Sequence, residues 1–163
     1  MDTNDVNETL RNQSYLEKYA TGCYIIPIYH LSDYMSCREL IESFLHYPYI
    51  SIGGIVGAKD GKEYKDEFYS YTFARTTNKV KVHGLGITSS KELNRYPFYS
   101  VDSTSWLSSA RYGRSQVIKN KTLDAYRTKN RHYLDRTVEE IRHWLNIEKK
   151  YTDIWRSRGI IWE

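Results

Sequence analysis

The sequence predicts an α/β fold in which helices alternate with short strands around a parallel sheet. Short apolar runs alternate with longer stretches whose apolar residues recur every three or four positions. Capping-box patterns open two of the longer stretches, at Ser36–Glu39 and at Ser89–Glu92. Helix-ending residues, Gly22, Pro48 and Pro97, follow three of them. Such alternation is typical of strand–helix units with right-handed crossovers, which build parallel sheets.

The predicted elements begin with a helix over 7–20 and a strand over 24–29, whose continuous apolar run indicates burial on both faces. The next elements are a helix opened by Ser36–Glu39, a strand over 49–52, a helix over 63–76, a strand over 80–82, a short helix opened at Ser89 and a strand over 98–101. Four strand–helix units predict either half of a TIM barrel or a small open sheet.

The pattern changes after residue 118 to charged, amphipathic stretches that predict one or two helices out to about Trp155. We therefore expect residues 1–118 to form the strand–helix region and residues 119–163 a helical C-terminal extension of the same domain. A chain of 163 residues with 40% hydrophobic content can bury a sizeable core.

The composition narrows the class of protein. The two cysteines are too few for a disulfide framework or a metal-ligand cluster, so we expect reduced thiols and no bound metal. The longest apolar runs fall well short of the roughly 20 residues that span a bilayer. The opening residues Met1–Asp5 lack a basic-plus-apolar leader. We expect a cytoplasmic protein with no membrane partner, in the host cytoplasm if a phage encodes it.

The positive charge is concentrated in the C-terminal part. The chain has a net charge of +4, and residues 101–163 carry 13 Lys and Arg against 8 Asp and Glu. This excess includes Arg111, Arg114, Lys119 and Lys121, with tyrosines among the basic residues. Such a pattern can follow a phosphate backbone. A solvated helix face is the simpler alternative, and both interpretations stay open.

Polar residues and glycines follow each predicted strand. They are His30, the pair Gly53 and Gly54, the pair His83 and Gly84, and Asp102. The carboxyl ends of parallel strands meet at one edge, where active sites form. A carboxylate followed by hydroxyl groups and then by a basic loop suits a nucleophile or an anchor for a polar ligand. Each residue also has a structural interpretation: tight turns for the glycines, a structural role for the histidines and an Asx turn for Asp102.

At these strand ends the sequence resembles the tRNA-guanine transglycosylases. Tyr49–Gly57 is similar to their "IGGL-VGE" strand end, and Val82–Gly86 to their "LMGVG" segment. Ser100–Ser103, followed by Arg111–Arg114, is similar to their "FDCV" and "PTR-GR-G" stretch. The block Val82–Gly113 resembles the divergent transglycosylase-like proteins of phages and bacteria, including those that install 7-deazaguanines in DNA. The resemblance covers about residues 1–118.

The resemblance implies the C-terminal half of a (β/α)8 barrel that exchanges guanine for a 7-deazapurine in DNA or tRNA. It makes Asp102 the nucleophile that forms a covalent glycosyl-enzyme. Substrate-binding residues would be Asp2, Gly53, Gly54 and His83, and Arg111 and Arg114 would hold phosphates. From their positions we also expect His30 and Gly84, at strand ends, to bind the substrate, and Lys119 and Lys121, in the basic stretch, to bind nucleic acid. No cofactor is implied.

The sequence departs from this family in three ways. It holds about half of the eight strands, it has no "DSGAF" motif for the general base, and its cysteines lack the spacing of the family's zinc cluster. We therefore expect a complementary N-terminal half-barrel chain or a second copy to complete the barrel, or the C-terminal helices to cap the open sheet. An alternative from another class is a non-catalytic half-barrel module that binds a protein. A small open-sheet nucleotide-binding protein fits less well, because no phosphate-binding glycine loop precedes a helix.

Overall fold

The computed structural model describes residues 5–55, 61–103 and 133–162. The chain divides into two compact units, residues 1–102 with 162–163 and residues 103–161. The described elements of the first unit are α1 (Val6–Tyr19), β1 (Ile28–His30), α2 (Leu31–Cys37), a 3-10 helix (Arg38–Phe44), β2 (Tyr49–Gly53), α3 (Gly61–Thr76), β3 (Lys81–Gly84), α4 (Ser90–Arg95) and β4 (Ser100–Val101). The second unit contains α5 (Tyr133–Ser157).

The four strands form one sheet in the order β1-β2-β3-β4, and every neighbouring pair is parallel. Spatial order therefore follows chain order, as in successive strand–helix units. This confirms the predicted mixed α/β fold with a four-stranded parallel sheet. Closure of the sheet into half of a barrel remains a prediction.

One face of the sheet is covered by aromatic and aliphatic side chains. Tyr29, Ile50, Ile52 and Val82 project from three strands and are at most 1% exposed. The elements that cover them contribute Tyr34, Ile41, Phe44, Phe68, Tyr69 and Phe73. The Tyr29 hydroxyl donates to the Arg38 carbonyl at 2.9 Å, so its polar end is satisfied inside the core. Burial raises the pKa of Tyr29 well above its usual value. We call this surface the covered face.

A buried ion pair joins α3 to α4. Lys65 Nζ lies 2.5 Å from Glu92 Oε1, and the Glu92 side chain is only 5% exposed. Burial favours the neutral acid, but hydrogen bonds from Lys65 and Ser89 outweigh it and hold the pKa of Glu92 below its usual value. The carboxylate therefore remains charged inside the helical layer, next to a partner that neutralises it.

The predicted strand over 24–29 is wrong in its first four residues. Strand β1 begins at Ile28, directly after Pro27, and Tyr24 is 97% exposed. Proline lacks the N–H that a ladder needs, so it suits the position before a strand. An apolar run alone does not separate a strand from an exposed aromatic loop before it.

The predicted capping box at Ser36–Glu39 is also wrong. Ser36 lies inside α2, where its Oγ donates to the Ser32 carbonyl at 2.9 Å. The helix begins earlier, at Leu31, and the Asp33 carboxylate accepts the His30 N–H at 2.8 Å. Asp33 closes the N-terminal turn that the sequence pattern placed six residues later. The expected apolar stripe is correct, because Leu40, Ile41 and Phe44 are buried.

Within residues 133–162, the described part of the C-terminal region, the structure has one long helix, α5. Residues 119–132, over which the sequence also predicts helical structure, lie outside the described residues. The buried side chains of α5 include Glu140 and Tyr151. Four apolar side chains are instead half exposed: Leu134, Val138, Ile141 and Leu145. Among the residues described, no helix combines the length and apolar character needed to cross a bilayer.

Candidate functional site

The register of the sheet brings four residues to one level at the carboxyl ends of the strands. His30 pairs with Gly53, and because Ile52 pairs with Gly84, Gly53 is level with Leu85. Gly84 pairs with Val101, so Leu85 is level with Asp102. We call His30, Gly53, Leu85 and Asp102 the terminal row. Neighbouring strands lie about 4.8 Å apart, which puts the backbones of Gly53 and Asp102 about 10 Å from each other.

The terminal row belongs to the face opposite the covered face. Side chains alternate along a strand, so Asp102 shares its side with Ser100, and Gly53 with Ser51. His83 pairs with both Ser51 and Ser100 and lies on the same side. This surface, which we call the polar face, carries hydroxyl, imidazole and carboxylate groups where the covered face carries hydrocarbon.

Asp102 is an exposed carboxylate held in place by the neighbouring loop. Its side chain is 58% exposed. Its Oδ1 accepts the Gly86 N–H at 2.7 Å, and its own N–H donates to the Gly84 carbonyl at 3.2 Å. Gly86 has a φ of 70°, a left-handed conformation that glycine adopts without strain. The loop after β3 therefore orients the carboxylate while leaving it accessible.

His83 connects Asp102 to the rest of the polar face. His83 Nε2 lies 3.9 Å from Asp102 Oδ1, and Nδ1 lies 2.6 Å from Ser100 Oγ. Ser100 Oγ is also hydrogen-bonded to the Tyr49 hydroxyl. All three groups are satisfied if Tyr49 donates to Ser100 and Ser100 donates to Nδ1. In that arrangement the neutral imidazole carries its proton on Nε2, directed toward the carboxylate.

The two glycines at the carboxyl end of β2, Gly53 and Gly54, bring the backbone of this strand end close to neighbouring residues. Gly54 has a φ of 78°, and a Cβ there would lie 3.3 Å from the Leu31 nitrogen. A Cβ on Gly53 would lie 2.9 Å from Leu85 Cδ1 and 3.7 Å from His30 Cδ2. The Leu85 side chain therefore lies against the bare backbone of Gly53, and the two make an apolar surface beside Asp102.

Gly84 and His30 have clear structural roles. A Cβ on Gly84 would lie 2.6 Å from Ile87 Cδ1 and 2.8 Å from Phe98 Cε1, so close packing explains this glycine. His30 donates its N–H to the Asp33 carboxylate, and its Nδ1 lies 3.6 Å from the same Oδ2. It marks the start of α2 as well as the end of β1.

The structure therefore gathers six predicted site residues at one edge of the sheet: His30, Gly53, Gly54, His83, Gly84 and Asp102. The other predicted site residues lie outside the described residues: Asp2, Arg111, Arg114, Lys119 and Lys121. Sequence reasoning missed Tyr49, Leu85 and Ser100. Counting back two residues from Asp102 would have identified Ser100, because alternate residues of a strand share a face.

Within residues 5–55, 61–103 and 133–162, no three His, Cys, Asp or Glu side chains converge as a metal-ligand set. The chain matches no protein-family model, and comparisons with curated proteins and with solved structures found no match.

Proposed function

We propose that this protein is a transglycosylase-like half-barrel that exchanges guanine for a 7-deazapurine in nucleic acid. The observation that carries the proposal is the terminal row. In it, a positioned but exposed Asp102 lies about 10 Å from the Gly53 backbone, with an apolar side chain between them. This span suits a nucleoside whose sugar reaches Asp102 and whose base extends toward β2.

The surface between those two ends suits a flat base. Leu85 offers an apolar contact for one face of a purine, and the missing side chain of Gly53 leaves the backbone open to its edge. The backbone of Gly54 extends the same edge. His83 and Ser100 add hydrogen-bonding groups one layer deeper in the polar face.

Asp102 acts as the nucleophile in this proposal. Gly86 holds Oδ1, and Oδ2 attacks C1′ of the guanosine. The C1′–N9 bond breaks, its electron pair leaves with guanine, and guanine takes a proton from solvent. An ester then joins Asp102 to C1′. N9 of the incoming 7-deazapurine attacks C1′, loses its proton to solvent and releases the Asp102 carboxylate.

A second polypeptide completes the site in this proposal. Closed barrels have no strand edges, whereas a sheet of four strands has two. The partner is a chain that supplies the N-terminal half of the barrel, or a second copy of this chain. Arg111, Arg114, Lys119 and Lys121 hold the phosphates of DNA or tRNA, in the cytoplasm, and the reaction uses no cofactor.

The test is incorporation of labelled 7-deazaguanine into guanine-containing DNA or tRNA, with and without candidate partner chains. We expect Asp102→Asn to lower incorporation roughly a thousandfold or more, because an amide does not form the ester. It should also abolish a nucleic-acid adduct that survives denaturing electrophoresis. Asp153→Asn, at an exposed aspartate of α5, is the matched control and should retain both signals. Equal incorporation by Asp102→Asn would sink the proposal.

One observation favours a non-catalytic alternative. The hydrogen bond from the Gly86 N–H gives Asp102 a structural role in ordering the loop after β3. In a half-barrel module that binds a protein partner, ordering this loop would be the whole role of Asp102. Such binding would resist salt, whereas binding to nucleic acid weakens steeply as salt is added.

A further inference from the structure

The long helix α5 presents a second apolar stripe to solvent. Leu134, Val138, Ile141 and Leu145 are 52%, 45%, 45% and 58% exposed. Their spacing of four, three and four residues is the heptad spacing of a coiled-coil seam. A different stripe, which includes Glu140 and Tyr151, is the buried one. The apolar stripe therefore lies on a different side of the helix from these buried residues.

We propose that this stripe pairs with the same stripe of a second copy, with the two α5 helices antiparallel. A two-fold axis between Val138 and Ile141 places Val138 opposite Ile141 of the second copy. The same axis places Leu134 opposite Leu145 of the second copy. The spacing is symmetric about this axis, so every apolar residue meets an apolar residue. The inference is independent of the proposed function.

The charges beside the stripe specify the direction. Asp135 and Arg142 are exposed and flank the stripe on the same side, one residue after Leu134 and Ile141. In the antiparallel pair Asp135 faces Arg142 of the second copy, and the symmetry repeats the contact. A parallel pair would place neither residue opposite its complement, because Asp135 would lie level with Asp135. The sequence thus carries opposite charges at the two positions that an antiparallel pair brings together.

The test uses charge reversal in the full-length protein, read by sedimentation velocity over a concentration series. The unmodified chain should self-associate. Asp135→Arg places two arginine pairs across the seam, and Arg142→Asp places two aspartate pairs there. Each should weaken self-association about tenfold or more. Asp153→Arg, beyond the end of the stripe on the same side of α5, is the control and should leave it unchanged.

Mixing the two charge-reversal variants is the decisive step. In a mixed pair, the arginine introduced at position 135 of one chain meets the aspartate introduced at position 142 of the other. The native Arg142 of the first chain meets the native Asp135 of the second. Both contacts are attractive, so the mixture should restore association to about the original strength. A monomeric unmodified chain, or a mixture no stronger than its components, would overturn the proposal.

Two further variants protect the test. Leu145→Gln removes an apolar contact at an exposed position and should also shift the protein to monomer, with circular dichroism showing that the helix is retained. Asp102→Asn should associate like the unmodified chain. If Asp102→Asn loses base exchange but still self-associates, the lost activity is caused by the change on the polar face and not by a change in association.

Discussion

The covered face and the polar face are built from the same strands with opposite chemistry. In β2, Ile50 and Ile52 point to one side and are fully buried, while Ser51 between them points to the other and is 4% exposed. The isoleucines meet hydrocarbon from the helices. The serine shares its side with His83 and Ser100, which hydrogen-bond to each other. Burial alone does not separate the two faces, and the difference lies in what each residue meets.

The largest expected effect is on the covered face. Ile52→Ala should lower the free energy of unfolding by about 2–5 kcal/mol, because it removes buried methylene groups and leaves a cavity. Urea denaturation measures the change. Ser51→Ala, one residue away on the polar face, is the control and should cost about 1 kcal/mol or less. Equal losses of unfolding free energy in the two variants would show that the two faces contribute equally to stability.

A smaller effect compares the two glycines that end neighbouring strands. Gly84→Ala places a methyl group against Ile87 and Phe98 on the covered side, where close packing leaves no room for these side chains to move away. The substitution should lower the free energy of unfolding by about 1–3 kcal/mol. Gly53→Ala meets mainly the Cδ1 end of the Leu85 side chain, which can rotate away. Thermal unfolding should therefore rank Gly84→Ala as the more damaging change. If Gly53→Ala were the more damaging change, the tighter packing would lie on the polar face, and the expectation would be wrong.

The smallest stability effect belongs to the polar face. Ser100→Ala removes the hydroxyl that links Tyr49 to His83 and should cost about 1 kcal/mol. The imidazole would then lose the group that sets its tautomer, which NMR of the His83 ring nitrogens would detect. Ser43→Ala, which removes a serine hydrogen bond far from this network, should leave the His83 signals unchanged. Unchanged signals in Ser100→Ala would show that the link does not act on the imidazole.

Local patterns predicted most of the elements because each depends on neighbouring residues. The helix over 63–76 and the strand over 49–52 agree closely with α3 and β2. The failures came where two local signals competed. The capping pattern at Ser36 predicted an N-cap there, but the N-cap of α2 lies six residues earlier, at His30, whose N–H Asp33 accepts. Tyr24 and Ile28 are both apolar, but only the second follows the proline and pairs with β2.

The candidate site was only partly predictable for a related reason. Strand ends can be recognised from sequence, so His30, Gly53, His83 and Asp102 could be chosen. Their spacing could not, because it depends on register between strands that are far apart in the chain. Leu85 illustrates the limit: it is an ordinary leucine in the sequence, and only the pairing of Ile52 with Gly84 brings it beside Gly53.

By itself the sequence determined a parallel α/β sheet, because apolar periodicity and helix-ending residues can be recognised within a few neighbouring positions of the chain. Only the tertiary structure decided which side of each strand is hydrocarbon and which is polar. It also decided that Gly86 and His83 meet the Asp102 carboxylate. Those contacts join residues 16 and 19 positions apart, and the strand register that aligns them has no local signature.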